Sequence, residues 1–249
     1  MQLIKTKSFT LATYSKGDTD AKKLALVLPG KLDTKDYAHM RSHVDFLASL
    51  GFFALSFDPP GTWESPGDIS LYTMSNYIKA VHEVIEYYEN KPTFAMGHSM
   101  GGKIAIIAES ENKYIFSYSA IMPPLGKSRL TEKEIADWKE KGFKVSLRAL
   151  PPGDGPKTKE LIMPYTFLED QLQYELTDKI RSSNKPKLFI LGKRDILIAP
   201  EKIKEAFTSF HSPKELYELD SGHDYRRYPE KIIEVNAVIN KFLSEYTKD

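Results

Sequence analysis

The sequence contains no cysteine, which excludes a disulfide framework, a thiolate metal site and a cysteine nucleophile. It also has no excess of either charge: 35 Lys plus Arg stand against 34 Asp plus Glu, a formal net charge of +1. Without a strong overall field nothing holds a polyanion, so nucleic acid is not expected as a partner. No apolar run approaches the length needed to cross a bilayer, and Met1 to Ser8 lack the basic-then-apolar layout of a signal peptide. The expectation is therefore no membrane partner and a cytoplasmic location. Internal repeats and low-complexity tracts are missing too. What is present is 249 residues, 41% hydrophobic and 28% charged, enough for one well-filled core, so residues 1–249 are expected to form a single domain.

Short apolar or aromatic runs alternate with longer segments of helical period, the pattern of βαβ units. Leu24 to Leu28, Phe53 to Phe57, Thr93 to Met96, Phe116 to Ile121, Leu188 to Leu191 and Leu216 to Leu219 read as buried strands. Runs apolar on both faces suit a parallel sheet covered by helices. Between them, Tyr37, Met40, Val44, Leu47 and Leu50 recur at three- and four-residue steps, with Gly51 as a stop. Ile78, Val81, Ile85 and Tyr88 repeat that spacing, and a last helix begins at Pro229 with Ile232, Val235, Ile239 and Phe242 on one face. Leu3 to Tyr14 has strand composition without room for a crossover, so one or two antiparallel edge strands are expected there. Residues 122–181 are far longer than an ordinary connection between strand and helix and read as an insertion covering a site, with a charged helical stretch over Thr131 to Lys141.

The segment Gly97-His98-Ser99-Met100-Gly101 fits G-x-S-x-G and lies directly after a strand and before the helical Lys103 to Ala108. A strand that turns sharply into a helix brings backbone segments close together, so small residues are needed on either side of the serine. A serine hydroxyl is a poor nucleophile at neutral pH; it requires a base, and the base requires a group that fixes its tautomer. Asp195 follows the strand Leu188 to Leu191, and His223 follows Leu216 to Leu219. Both lie at strand C-terminal ends, where open α/β sheets build their sites. Asp220 and Asp224 compete for the role of Asp195, though neighbours of His223 on a tight loop are badly placed to grip its ring.

The strand runs, the elbow and the order Ser99, Asp195, His223 resemble the α/β-hydrolase family over essentially the whole chain outside residues 122–181. The resemblance implies an α/β fold with an eight-stranded, mostly parallel sheet flanked by helices, and the insertion as a small lid. It also implies an oxyanion hole with two backbone donors. Met100 supplies one, and Lys31 matches the other, in Leu28-Pro29-Gly30-Lys31-Leu32, where Pro29 replaces the family's histidine. Asp58-Pro59-Pro60-Gly61-Thr62-Trp63-Glu64-Ser65 resembles the family's D-x-P-G-x-G-x-S turn, with Trp63 in place of the second glycine and expected to narrow the pocket. His98 and Trp138 join Trp63 as expected substrate-binding residues; Trp138, Phe143, Tyr165 and Phe167 either line an acyl pocket or anchor the lid. Lesser candidates have bland readings: His39 and His43 as a solvated helix face rather than a metal pair, Arg226 and Arg227 as exposed helix-entry charge rather than contacts for an anionic substrate.

The expected activity is hydrolysis of carboxylic esters of small to medium acyl substrates through an acyl-enzyme, with a small-molecule acyl substrate and no metal or organic cofactor. Amide, peptide or thioester substrates, transfer to an acceptor other than water, and a non-catalytic ligand-binding role are the alternatives. Oligomeric state does not follow from the residues.

Overall fold

A computed structural model describes residues 2–126, 130–152 and 155–246. Its centre is built from strands with no polar face. β3 (Leu24–Leu28), β4 (Phe53–Phe57), β5 (Thr93–His98) and β9 (Lys187–Gly192) are buried at every position. Such strands need cover on both sides. β3 shows how it is arranged: Leu24, Leu26 and Leu28 enter one apolar cluster, Ala25 and Val27 the other, the two-residue alternation of a strand.

With β1 (Gln2–Lys5), β2 (Thr10–Lys16), β6 (Ile115–Ile121) and β10 (Lys214–Leu219), these strands make one eight-stranded sheet in the order β1-β2-β4-β3-β5-β6-β9-β10. β1 pairs with β2, and β2 with β4, antiparallel; every other pairing is parallel. Of the one or two antiparallel strands expected near the N-terminus, two are present, β1 at the sheet edge and β2 inside it. β10 differs from expectation, because as an edge strand it buries only Leu219.

α1 (Ala38–Ser49) and α8 (Pro229–Tyr246) cover one face, contributing Met40, Val44 and Leu47, and Val235, Ile239 and Phe242, to a shared cluster. α2 (Met74–Tyr87) and α3 (Met100–Glu111) cover the other. The Thr73 hydroxyl caps α2 by accepting from the Asn76 amide, satisfying one of the amides a helix start leaves open. Between β9 and β10 lies α7 (Pro200–Thr208).

The segment between β6 and β9 holds α4 (Glu132–Lys141), then β7 (Phe143–Ala149) and β8 (Thr158–Pro164) paired antiparallel apart from the main sheet, then α5 (Tyr165–Gln171) and α6 (Asp178–Arg181). α4 opens with a capping box in which Thr131 and Glu134 satisfy each other's amides. The hairpin is not anticipated from the sequence. Leu161 and Met163 point inward from β8, whereas Ile162 between them is exposed. Among the described residues, no helix is long and apolar enough to cross a membrane.

Candidate active site

The site begins at the end of β5. Ser99 is the N-cap of α3 with φ 52° and ψ −119°, a conformation costly for any residue with a Cβ. Its amide donates to Ile121 O at 2.8 Å, tying the turn to β6. The turn is tight enough that a Cβ on Gly97 would stand 2.3 Å from the Gly101 carbonyl carbon. A Cβ on Gly101 would stand 2.1 Å from Leu28 O and 2.6 Å from Pro29 O. Those obstacles are backbone and belong to different elements, so neither can swing aside. Gly101→Ala is expected to lower stability by about 1–3 kcal/mol or more, measured as a fall in the urea midpoint with an unchanged m-value. An unchanged midpoint would show that the elbow has slack.

His223, after β10, brings Nε2 to 3.0 Å from Ser99 Oγ. Its Nδ1 lies 2.7 Å from Asp195 Oδ2, and Asp195 Oδ1 accepts from the Leu197 and Ile198 amides, each at 2.8 Å. Burial pushes the Asp195 carboxyl up, but the His223 hydrogen bond and these two amides outweigh it and hold the group below its ordinary value. Asp220 instead pairs with Arg194, and Asp224 with Arg226 and Arg227. The three residues singled out from the sequence, Ser99, Asp195 and His223, are therefore contiguous.

Met100 opens α3, where a helix leaves its amides unpaired, and the loop holding Lys31 lies opposite. That loop is fastened on both sides of Lys31. Pro29 O accepts from the Tyr77 hydroxyl at 3.1 Å, the Leu32 amide donates to the Tyr72 hydroxyl at 2.8 Å, and Lys31 O accepts from Arg148 at 2.5 Å. Among the described residues, neither the Met100 nor the Lys31 amide meets an acceptor.

A cavity of about 520 Å³ opens over Ser99 and His223, and Lys31, His98, Arg148 and Arg226 help to line it. His98, expected from the sequence as a substrate-binding residue, lines this cavity. Its Nε2 donates to His223 O at 3.0 Å, holding the loop that carries the candidate base. Trp63 and Trp138, expected as substrate-binding residues, are not part of the lining. Trp63 sits at φ 50°, so the turn keeps the left-handed geometry of the glycine it replaces, and its Nε1 donates to Leu32 O at 3.0 Å beneath the Lys31 loop. Trp138 is 4% exposed, its ring turned to the Lys31 ammonium at 5.4 Å. Phe167 is buried and stacked on Tyr72, while Phe143 is exposed.

Two further readings are corrected. His39 and His43 are fully buried, because α8 and the Tyr225 turn cover that side of α1. His43 donates from Nδ1 to Asn236 at 2.6 Å and accepts the Tyr225 hydroxyl at 2.8 Å, a neutral imidazole that burial pushes down to about 4. Arg226 is likewise buried, with a side chain 8% exposed, and donates to Asp33 Oδ1 at 2.9 Å; only Arg227 is exposed. Burial pushes the Asp33 carboxyl up, yet His98, Arg226 and Arg148 together hold it well below the carboxylate range. Asp33, His39 and His98 place one donor atom each within 4.8 Å of one another, the arrangement nearest to a metal cluster among the described residues. Arg226 already neutralises that carboxylate, and a dication there would also face Arg148, 3.9 Å from Asp33. Asp33 and Arg148 carry no motif and are not found by reading the sequence.

No protein-family model matches the chain. Over 86 residues it is 31% identical to the monoglyceride lipase homolog of monkeypox virus, a match covering 32% of this chain and 30% of that protein. The chain thus spans under a third of that relative's length. Solved structures match throughout. Est1E from Butyrivibrio proteoclasticus with ferulic acid bound is 16% identical, with 99% of each chain covered and a TM-score of 0.74. Mouse alpha/beta hydrolase domain-containing protein 10 is 17% identical, with 98% of each covered and a TM-score of 0.76. An esterase of Pyrococcus furiosus is 20% identical, covering 99% of this chain and 90% of that one, with a TM-score of 0.72. The chain has the α/β-hydrolase fold.

Proposed function

We propose that the protein is a serine hydrolase that cleaves carboxylic esters of small to medium acyl substrates through an acyl-enzyme. The observation that carries this reading is the unbroken line from Ser99 Oγ through the two nitrogens of His223 to Asp195, at 3.0 and 2.7 Å. Ser99 Oγ attacks the ester carbonyl while His223 Nε2 takes its proton. The carbonyl oxygen becomes an oxyanion held by the Met100 and Lys31 amides. Collapse breaks the bond to the alcohol oxygen, which receives the proton from Nε2. Water then attacks the acyl-Ser99 ester, again giving a proton to His223, and the acid leaves with Ser99 Oγ reprotonated. Throughout, Asp195 keeps Nδ1 protonated and offsets the imidazolium charge.

In this reading residues 1–249 form one domain and residues 122–181 its lid, a view supported by Arg148 of β7 reaching Lys31 O and by Leu130 and Glu134 at the cavity wall. The fold shared with the Pyrococcus furiosus esterase supports ester chemistry. A fluorophosphonate probe is expected to label Ser99 in wild type and nothing in Ser99→Ala. Folded wild-type protein that stays unlabelled overturns the proposal.

A further inference from the structure

The cavity wall carries more charge than the bond-breaking step uses. Among its acidic residues, Asp33 is committed to Arg226, and Asp224 is shared by Arg226 at 3.4 Å and Arg227 at 3.6 Å. Glu134 is turned to the Thr131 hydroxyl and amide within the α4 capping box. Lys31 is the exception. No carboxylate of the described residues lies within ion-pair distance of its ammonium, which rests against the rings of Trp138 and Phe167 at 5.4 and 4.8 Å. An aromatic face offers an ammonium weaker compensation than a carboxylate would, and here Lys144 shares the Trp138 ring at 5.6 Å. Burial, with the charges of Lys144 and Arg148 added, pushes the Lys31 ammonium down to about 8. Close by, Arg148 lines the same cavity with its Nε buried and without a hydrogen-bond partner. Arg148 stands 3.9 Å from Asp33 and Arg226 2.9 Å, so of the cations lining the cavity Lys31 is the one left without a carboxylate among the described residues.

We infer that the substrate is an ester carrying its own carboxylate, which the Lys31 ammonium receives in the cavity over Ser99. The inference rests on the serine-hydrolase reading and specifies its substrate class. Lys31 then has two separable parts: its amide faces the reacting carbonyl oxygen, and its side chain selects the ester by charge. Trp138 and Phe167 hold the ammonium in place without touching the substrate, which explains why Trp138 is buried beside the cavity and absent from its wall. A hydrogen bond to a charged group contributes about 1.5–3 kcal/mol, so the preference expected over a neutral ester is roughly ten- to a hundredfold.

Two matched ester pairs test this: p-nitrophenyl butyrate against mono-p-nitrophenyl glutarate, with the charge in the acyl half, and 4-(methoxycarbonyl)phenyl butyrate against 4-carboxyphenyl butyrate, with it in the alcohol half. Wild type is expected to prefer the carboxylated member of at least one pair by tenfold or more in kcat/KM, mainly through KM. The ratio within that pair should collapse in Lys31→Met, return in part in Lys31→Arg, and shrink with added salt. Equal or reversed preference in both pairs, or a preference that survives Lys31→Met, overturns the inference. Free glutarate, read by thermal shift beside butyrate, provides a readout independent of turnover: it should stabilise wild type and not Lys31→Met. Glutarate binding without Ser99 labelling would sink the hydrolase reading and keep the carboxylate site; labelling with no charge preference and no glutarate shift would do the reverse.

Discussion

Ser99→Ala is expected to lower kcat for p-nitrophenyl butyrate by on the order of 10⁴ to 10⁶, while the protein stays folded. The size of the loss follows from the role proposed for Ser99 Oγ: no other hydroxyl of the described residues lies against His223 Nε2, so the covalent route would close. The residual rate would come from the oxyanion hole and from binding alone. Little stability should be lost with it, because the side chain's hydrogen bond is to His223 in a partly open cavity. Ser99→Gly makes a useful companion. It should be equally inactive but more stable than Ser99→Ala by about 1 kcal/mol, since φ 52° and ψ −119° strain any residue with a Cβ. Ester turnover in Ser99→Ala above a hundredth of wild type would place the nucleophile elsewhere.

Asp195→Asn is expected to cost about 10⁴ in kcat, although it changes a single atom. The reason lies in the partners of the carboxylate. Oδ1 accepts from two backbone amides, Leu197 and Ile198, so an asparagine must keep its oxygen there. Its NH₂ then faces His223 Nδ1 at the position where Oδ2 now accepts at 2.7 Å. Two donors cannot face each other, so His223 takes the tautomer with its proton on Nε2. That nitrogen would donate toward Ser99 and could not act as its base. The rate of Ser99 labelling by a fluorophosphonate should fall in parallel with turnover, and a variant retaining a tenth of wild-type activity contradicts the tautomer argument.

Some of the site is legible in the sequence because its parts are local. Gly97, Ser99 and Gly101 lie within five residues and report a strand-to-helix turn whose sterics demand small residues. Asp195 and His223 each follow an apolar strand run, so placement at the same sheet edge needs no knowledge of packing. The carboxylate network is of another kind. Asp33 meets Arg226 and Arg148 across more than a hundred residues of chain, and nothing near any of them marks the others.

Two misreadings had signals that pointed the right way. Residues 39, 40, 43, 44 and 47 together make a wide helical stripe, and all five are buried; reading the histidines as polar separated them from the apolar residues beside them. Phe143, Val145 and Leu147 alternate with polar residues, the period of a strand, and do form β7. The proline-rich run after them and their outward, exposed setting hide the hairpin, since its buried face is carried by Leu161 and Met163 of the partner strand.

By itself, then, the sequence determined the alternation of strands and helices, the elbow at Ser99 and the order in which acid and histidine follow, because each depends on local sterics and period. Only the tertiary structure decided that Asp195 and not Asp220 or Asp224 grips His223, that Trp63 and Trp138 stand behind the cavity, and that Lys31 lines it with no counter-charge among the described residues. Those outcomes depend on which distant groups meet in a space that excludes water, where a charge is worth whatever its neighbours make of it.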